Sequence, residues 1–273
     1  MNDYLRLLDD ERVLVEEHLR KSYLGVFSED EVASHITDHV EGKFAEEASA
    51  IILPFTSPGG RLLDIGSGFG SFVTMSRKCG LDAYGIEIEE FEVAIARKRL
   101  TRSDDTIDAE KVFLCGNILN SKMELGSFNL VTLWNVVEHI EDLTATMQLV
   151  FQILTPGGRA FLVCPNYRSW GIEAHYRVKW TPKLGRNKSL AISHLKALGK
   201  DPKFLEKNVF FRTNQEVLSC ARDAGLIPWP MGVKFPGQSK FSRFIAIIRK
   251  PINFTKFIFP YKPTIAIELI KPL

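Results

Sequence analysis

The 273 residues carry 35 Lys/Arg against 33 Asp/Glu and are 45% apolar and 25% charged, the profile of a globular chain of one large or two small domains with length enough to bury a core. Cysteines scattered at 79, 115, 164 and 220, with no CxxC and no Cys/His cluster, argue against a disulfide framework or a zinc site and read as small buried hydrophobes in a reducing compartment. No window approaches 18 uncharged apolar residues, and the acidic, amphipathic N-terminus lacks the basic flank of a signal peptide. A cytoplasmic location follows as the expectation, with peripheral contact at the inner membrane face left open.

In chain order, residues 3–21 and 29–50 show helical apolar spacing, and Ser28 with Glu31 makes a capping-box pattern. Ser57-Pro58-Gly59-Gly60 breaks the chain. Beyond it strands and helices alternate: a strand over Arg61–Ile65, a helix over Ser71–Lys78, a strand over Ala83–Ile88, a helix over Glu90–Leu100, and strands over Val112–Cys115 and Phe128–Trp134. A helix over Leu143–Leu154, stopped by Thr-Pro-Gly-Gly, precedes a strand over Arg159–Cys164. This rhythm predicts an α/β fold, a doubly wound, seven-stranded, mostly parallel Rossmann-like sheet with helices on both faces. Residues 167–212 break it and read as an insertion. A helix over Thr213–Ala224, ended by Gly225, and strands over Leu226–Val233 and Thr264–Ile270 complete the sheet. The expected divisions are N-terminal helices over 1–50, a cofactor-binding core over 51–166, a basic lid over 167–212, and the last helix and strands over 213–273.

Charge is uneven. Residues 1–173 hold 16 Lys/Arg and 28 Asp/Glu, whereas 174–212 hold 10 and 2, and 232–273 hold 8 and 1. Two readings stand: a solvated basic face, or contact with something anionic, such as a charged acceptor, a phospholipid surface or a nucleic acid. No specific nucleic-acid partner is expected. The segment 235–262, rich in Phe, Ile and Lys, suits packing on the core, a homodimer contact or an anionic membrane.

The loop Asp64-Ile65-Gly66-Ser67-Gly68-Phe69-Gly70 follows the first strand of the alternating region. Glycines allow a tight turn and close approach of a ligand, and the start of the following helix favours a negative group. A dinucleotide fingerprint G-x-G-x-x-G/A fits imperfectly, because Ser71 stands at its last position. Asp64 argues further against a nicotinamide oxidoreductase: a carboxylate there repels a pyrophosphate but accepts hydrogen bonds from an ammonium group. Glu87, 19 residues after Gly68 at the next strand's end, suits ribose hydroxyls.

The stretches LLDIGSGFGSF, YGIEIEE, FNLVTLWNVVEHIED, ILTPGGRAFLVCPN and FFRTNQEVLSCARDAGL run in order through residues 61–226. With them the chain resembles class I S-adenosylmethionine-dependent methyltransferases, in the branch that includes quinone and small-molecule O-methyltransferases. EAHYRVKWTPKLGR further resembles methyltransferases of bacterial surface-polysaccharide clusters. The resemblance implies S-adenosyl-L-methionine as cofactor, with Asp64, Gly66, Ser67, Gly68 and Gly70 lining its methionine end. It implies Glu87 on the ribose, Ile88 against the adenine, Asn117 in place of the family's usual Asp on the adenine amino group, and Ile118 N–H on the adenine ring. Trp134, just past the fourth strand, would cover the sulfonium.

A hydroxyl acceptor must lose a proton, so a nearby base helps. His139, in VVEHIED, is the first candidate, and capping of the following helix is its structural alternative. His175 and Tyr176, in the lid, are the second. His18, His35, His39 and His194 lack motif support, and no metal is expected. The expected activity is methyl transfer to oxygen on a small-molecule or glycan acceptor, a saccharide or glycolipid precursor first and a phenolic quinone precursor second. A non-catalytic protein that kept the fold is the alternative of another class.

Overall fold

The apolar runs read from the sequence form the strands of a seven-stranded sheet, in a computed structural model that describes residues 3–23, 26–121, 126–231 and 263–273. A 3-10 turn over Asp3–Leu5 leads to α1 (Asp9–Ser22), α2 (Glu29–His35) and α3 (Lys43–Ile52). Then come β1 (Arg61–Ile65), α4 (Ser71–Lys78), β2 (Asp82–Glu87), α5 (Glu90–Ser103), α6 (Ala109–Val112) and β3 (Phe113–Cys115). β4 (Phe128–Trp134), α7 (Leu143–Ile153) and β5 (Leu154–Pro165) follow. The insertion carries a short hairpin, β6 (Gly171–Ile172) and β7 (Lys179–Trp180), with α8 (Lys188–Ala197) and α9 (Lys203–Asn208). α10 (Asn214–Asp223), β8 (Ile227–Pro230) and β9 (Thr264–Ile270) close the fold.

The strand order is β3-β2-β1-β4-β5-β9-β8. Every pairing among β1 to β5 is parallel, and β9 runs antiparallel between β5 and β8. Alternate residues of a strand serve opposite faces. Leu62 and Leu130 pack with Ala48, Ile52, Val73 and Leu100 on one side, whereas Leu63 and Val131 pack with Met147, Val150, Val217 and Leu218 on the other. Both faces are therefore covered, as a parallel sheet requires.

Three local expectations are corrected. The second N-terminal helix is not continuous over 29–50: a wide turn over Ile36–Val40 and Gly42, at φ +99°, separate α2 from α3. Thr155-Pro156-Gly157-Gly158 does not stand outside the strand. β5 begins at Leu154, opposite Phe128, and resumes with Arg159 opposite Leu130 after a register shift. Of the cysteines only Cys164 is buried; Cys79 and Cys115 are exposed. The capping box of α2 is formed, Glu31 N–H donating to Ser28 Oγ at 3.3 Å and Ser28 N–H to Glu31 Oε2 at 2.8 Å.

Among the described residues no helix is long and apolar enough to cross a membrane. The segment 235–262 lies outside the described residues. The insertion has its own core of Tyr167, Tyr176, Trp180, Leu184, Leu195 and Leu205, completed by Val26 from the N-terminal region.

Candidate functional site

β1 delivers Asp64 to the carboxyl end of the sheet, the usual side for ligands in open α/β sheets. Thr132 of β4 donates a hydrogen bond to Asp64 Oδ1 at 2.6 Å. Asp64 is 3% exposed; burial, only partly countered by this bond, pushes its pKa well above the ordinary value, and the charge of Glu87 adds to the rise. No cation among the described residues pairs with it within salt-bridge distance.

Gly66, Gly68 and Gly70 take φ of +76°, +50° and +76°. A Cβ at Gly70 would lie 2.6 Å from the Phe113 ring and 2.7 Å from Ala96, besides the strain of positive φ. Gly70→Ala is expected to destabilise the chain by about 2 kcal/mol or more, read from urea unfolding; an unchanged midpoint would refute the packing argument.

Most of the loop's own N–H groups are engaged within the chain. Gly66 and Ser67 both donate to the Ile86 carbonyl, at 2.9 and 3.1 Å, and Gly70 donates to that of Ser67 at 2.9 Å. Gly68 donates to Glu87 Oε2 at 3.0 Å. Ile88 and Glu89 N–H groups donate to Glu87 Oε1 at 2.7 and 3.2 Å. The chain thus supplies its own negative group. Burial, with repulsion from Glu92, still raises the Glu87 pKa against these bonds.

The remaining positions implied by the resemblance are spread along the same edge. Ile88 is 64% exposed, Ile118 is buried, and Asn117 accepts the Leu119 N–H at 2.9 Å to cap a 3-10 turn. Trp134 is the last residue of β4 rather than just past it; its ring lies edge-on between Phe44 and Phe72. Trp134 Nε1 and Ser67 Oγ are buried without a hydrogen-bond partner.

Past β4, Asn135 turns the chain at φ +50°, and a 3-10 turn over Val137–His139 follows. The insertion is fastened here. Phe210 N–H donates to the Glu138 carbonyl at 2.7 Å. The buried Arg212 guanidinium donates to the carbonyls of Val137, Ile140 and Glu141 and pairs with Glu216 at 2.5 Å. This brings His175 beside His139, with ring centroids 5.4 Å apart.

The two histidines are held alike. His139 Nδ1 donates to the Asn208 carbonyl at 2.5 Å, and His175 Nδ1 donates to Glu173 Oε1 at 2.9 Å. Crowding by protein atoms, with His175 close by, lowers the His139 pKa to about 4, although the residue itself is exposed to solvent. Burial raises the Glu138 pKa to about 7. Burial alone would raise that of Glu173, but bonds from His175, Tyr176 N–H and the Tyr167 hydroxyl outweigh it and lower it. Tyr176 does not join the histidines as an acid or base. Its hydroxyl donates to the Asp201 carbonyl at 2.8 Å and accepts the Leu205 N–H at 3.3 Å, so it is spent on the core of the insertion.

A run of aromatic residues without sequence support adjoins the two histidines. Aromatic contacts run from His175 and His139 to Phe204, on to Tyr23 and Phe27, then through His35 and His39 to Phe44 and Trp134. Burial, then His39, lowers the His35 pKa to about 3, so this wall is uncharged at neutral pH. The aromatic spacing in SYLGVFSED and the His35/His39 pair were the available sequence signal; only the fold brings them together. Arg99 of α5 anchors this N-terminal wall to the glycine loop. Its buried guanidinium donates to the carbonyls of Phe69 and Val40, at 2.8 and 2.6 Å, to that of Leu5, and to Ser71 Oγ at 3.1 Å. A broad surface hollow of about 710 Å³, lined by Arg97, Arg102 and Glu110 among others, shares none of the site residues, so size alone does not mark the site.

A family model described as a methyltransferase domain matches residues 38–226. A ubiquinone biosynthesis O-methyltransferase of Cereibacter sphaeroides is 29% identical over 161 residues, which cover 55% of this chain and 60% of that protein. The chain thus spans less than two thirds of that relative's length. In fold it is similar to phosphoethanolamine N-methyltransferase 2 of Haemonchus contortus, solved with S-adenosyl-L-methionine, at a TM-score of 0.54 and 16% identity over 84% of this chain and 53% of that one. An S-adenosylmethionine-dependent methyltransferase of Mesorhizobium loti aligns at a TM-score of 0.52 and 18% identity, over 83% and 98%. With the family match spanning the glycine loop, strands β1 to β5 and the loop after β4, the chain belongs to the methyltransferase domain family.

Proposed function

We propose that the chain transfers the methyl group of S-adenosyl-L-methionine to a phenolic oxygen of a small aromatic acceptor. The observation that carries the cofactor assignment is Asp64: a buried carboxylate at the foot of a glycine loop whose Gly66, Ser67, Gly68 and Gly70 N–H groups are already engaged. Such a site favours an ammonium group and offers little to a pyrophosphate. In this reading Asp64, Gly66, Ser67, Gly68 and Gly70 surround the methionine end, and the unpartnered Ser67 Oγ and Trp134 Nε1 are donors for its polar atoms. Glu87 exchanges a backbone N–H for ribose hydroxyls, exposed Ile88 and buried Ile118 flank the adenine, and Asn117 accepts from its amino group.

The sulfonium supplies an activated methyl carbon. The chain contributes alignment, worth about 7–11 kcal/mol in well-oriented systems. Trp134 screens the reacting end from water. Glu138, His139 and His175 form the acceptor-side polar cluster and assist loss of the acceptor's proton. The aromatic residues Tyr23, Phe27 and Phe204, in contact through Tyr23, and Phe44, against Trp134, make an apolar, ring-rich surrounding that suits a flat aromatic acceptor. The O-methyltransferase relatives point the same way.

Incubation with S-adenosylmethionine and matched panels of catechol-type phenols and nucleotide sugars is expected to yield methylated phenols by mass spectrometry. Products from the sugars alone would overturn the acceptor. Calorimetric binding of NAD in preference to S-adenosylhomocysteine would overturn the cofactor. Absence of any product, with S-adenosylhomocysteine bound, would support a non-catalytic binding protein instead.

A further inference from the structure

We infer that Glu138, His139 and His175 bind one divalent transition-metal ion of the zinc class, clasped between the loop after β4 and the insertion. One ligand atom from each of the three residues lies within 4.8 Å of the other two. Two imidazoles and a carboxylate are a ligand set suited to such an ion, with a further position left for an exchangeable ligand.

Three independent features favour an ion over a purely structural cluster. The first is the state of the imidazoles. Each directs Nδ1–H at a fixed acceptor, the Asn208 carbonyl for His139 and the Glu173 carboxylate for His175. Nε2 is then the nitrogen with the free lone pair in both rings, and a carboxylate or carbonyl behind the imidazole is the usual outer support of a metal-binding histidine. The second is Glu138. The residue is 1% exposed and its Oε2 is buried with no hydrogen-bond partner. A buried carboxylate oxygen without a partner is rare and calls for a ligand. The third is the neighbouring cation. Arg212 could have neutralised Glu138, but its guanidinium is spent on the carbonyls of Val137, Ile140 and Glu141 and on Glu216.

Donor atoms around a tetrahedral ion at about 2.0–2.1 Å stand roughly 3.3 Å apart, so binding draws the three side chains inward. His175 belongs to the insertion and the other two residues to the loop after β4, so the ion cross-links the two. His139 is exposed on one side, which leaves room there for a further oxygen ligand. The assignment of that position to an acceptor oxygen rests on the methyl-transfer reading; the ion site itself does not. Cluster assistance to the acceptor's proton loss would then act through the ion, because a bound metal lowers the pKa of an oxygen ligand. The His139 and His175 positions are 36 residues apart in sequence, a spacing that no metal motif marks.

The full chain, stripped with a chelator, is titrated with Zn2+ by calorimetry and with Co2+ by visible absorption. One equivalent is expected, with a rise in melting temperature and a Co2+ spectrum typical of few-coordinate nitrogen and oxygen ligands. Glu138→Gln and His175→Gln should each weaken binding at least tenfold, and Glu173→Gln about 10- to 100-fold through the imidazole it supports. His194→Gln, outside the cluster, should leave binding unchanged. Stoichiometric binding at full affinity in Glu138→Gln and His175→Gln would overturn the site, as would the absence of stoichiometric binding in the parent chain. If His175→Gln fails to fold by circular dichroism, Glu138→Gln and the parent Co2+ spectrum decide. S-adenosylhomocysteine affinity, measured in the same metal-free samples, separates the outcomes: retained affinity without metal binding refutes only the ion site, and lost affinity refutes the methyl-transfer reading.

Discussion

Asp64→Asn is expected to stabilise the ligand-free chain at neutral pH and to weaken cofactor binding about thirtyfold or more. The two effects have one cause. Among the described residues Asp64 is buried with a single side-chain donor, Thr132 at 2.6 Å, and burial raises its pKa well above the ordinary carboxylate range. The folded chain therefore holds this proton more tightly than the unfolded chain. Stability from this group is highest below the unfolded pKa and falls as pH rises from there toward the raised folded value. Asn keeps the shape and an oxygen to accept the Thr132 hydrogen bond, but removes the charge, so the decline with pH in that window flattens. An ammonium group reverses the sign, because it holds the carboxylate ionised. Losing one partner of a buried charge pair costs about 2 kcal/mol or more, which is the thirtyfold. Calorimetry with S-adenosylhomocysteine reads the affinity. Urea unfolding from about pH 4, where an unfolded aspartate titrates, to about pH 8 reads the stability. Unchanged affinity would remove Asp64 from the site, and a steeper pH decline in the variant would refute the electrostatic account.

What could be read in the sequence was what the chain builds from neighbours. The strand Arg61–Ile65, the glycine loop and the helix Ser71–Lys78 are consecutive, and each has a local cause: an apolar run, positive φ at three glycines, a helical period. The acid ending β2 was equally visible, but not that Gly68 and Ile88 would bond it. Contacts made only by folding were hidden. His175 meets His139 because Arg212 and Phe210 fasten the insertion to the loop after β4. Tyr176 looked like a partner of His175 because it is adjacent in sequence, yet its hydroxyl turns to Asp201 and Leu205. The continuous helix expected over 29–50 failed at Gly42, where a Cβ would strike Leu5, a residue 37 positions away. Helical periodicity carries no warning of such a long-range contact.

Arg99→Met is expected to lower stability by about 3 kcal/mol or more, and to loosen the N-terminal wall before the sheet. Arg99 is 1% exposed and sits on α5, yet nearly all its bonds leave that helix. It binds the carbonyl of Leu5 before α1, that of Val40 before α3, and that of Phe69 in the glycine loop, and it also reaches Ser71 Oγ. Burial, with repulsion from Arg102, lowers its pKa to about 10, so it remains a cation at neutral pH. Met fills similar volume but donates nothing. Ser71 Oγ still serves the Val40 carbonyl, whereas those of Leu5 and Phe69 lose the donor that joined them. A buried acceptor left without a partner costs about 1–3 kcal/mol, which for two gives the expected loss even after allowance for the desolvation of the guanidinium. For a chain of this size the melting temperature should fall by about 6 °C or more. Hydrogen exchange should place the lost protection first in α1, α2 and the turn over Ile36–Val40, with β1 and β4 retained. Because Tyr23, Phe27, His35 and His39 belong to that region, cofactor and acceptor affinity should fall with it. A uniform loss of protection across the sheet would show instead that Arg99 supports the core as a whole, and a loss below about 1 kcal/mol would show that the carbonyls it binds find other donors.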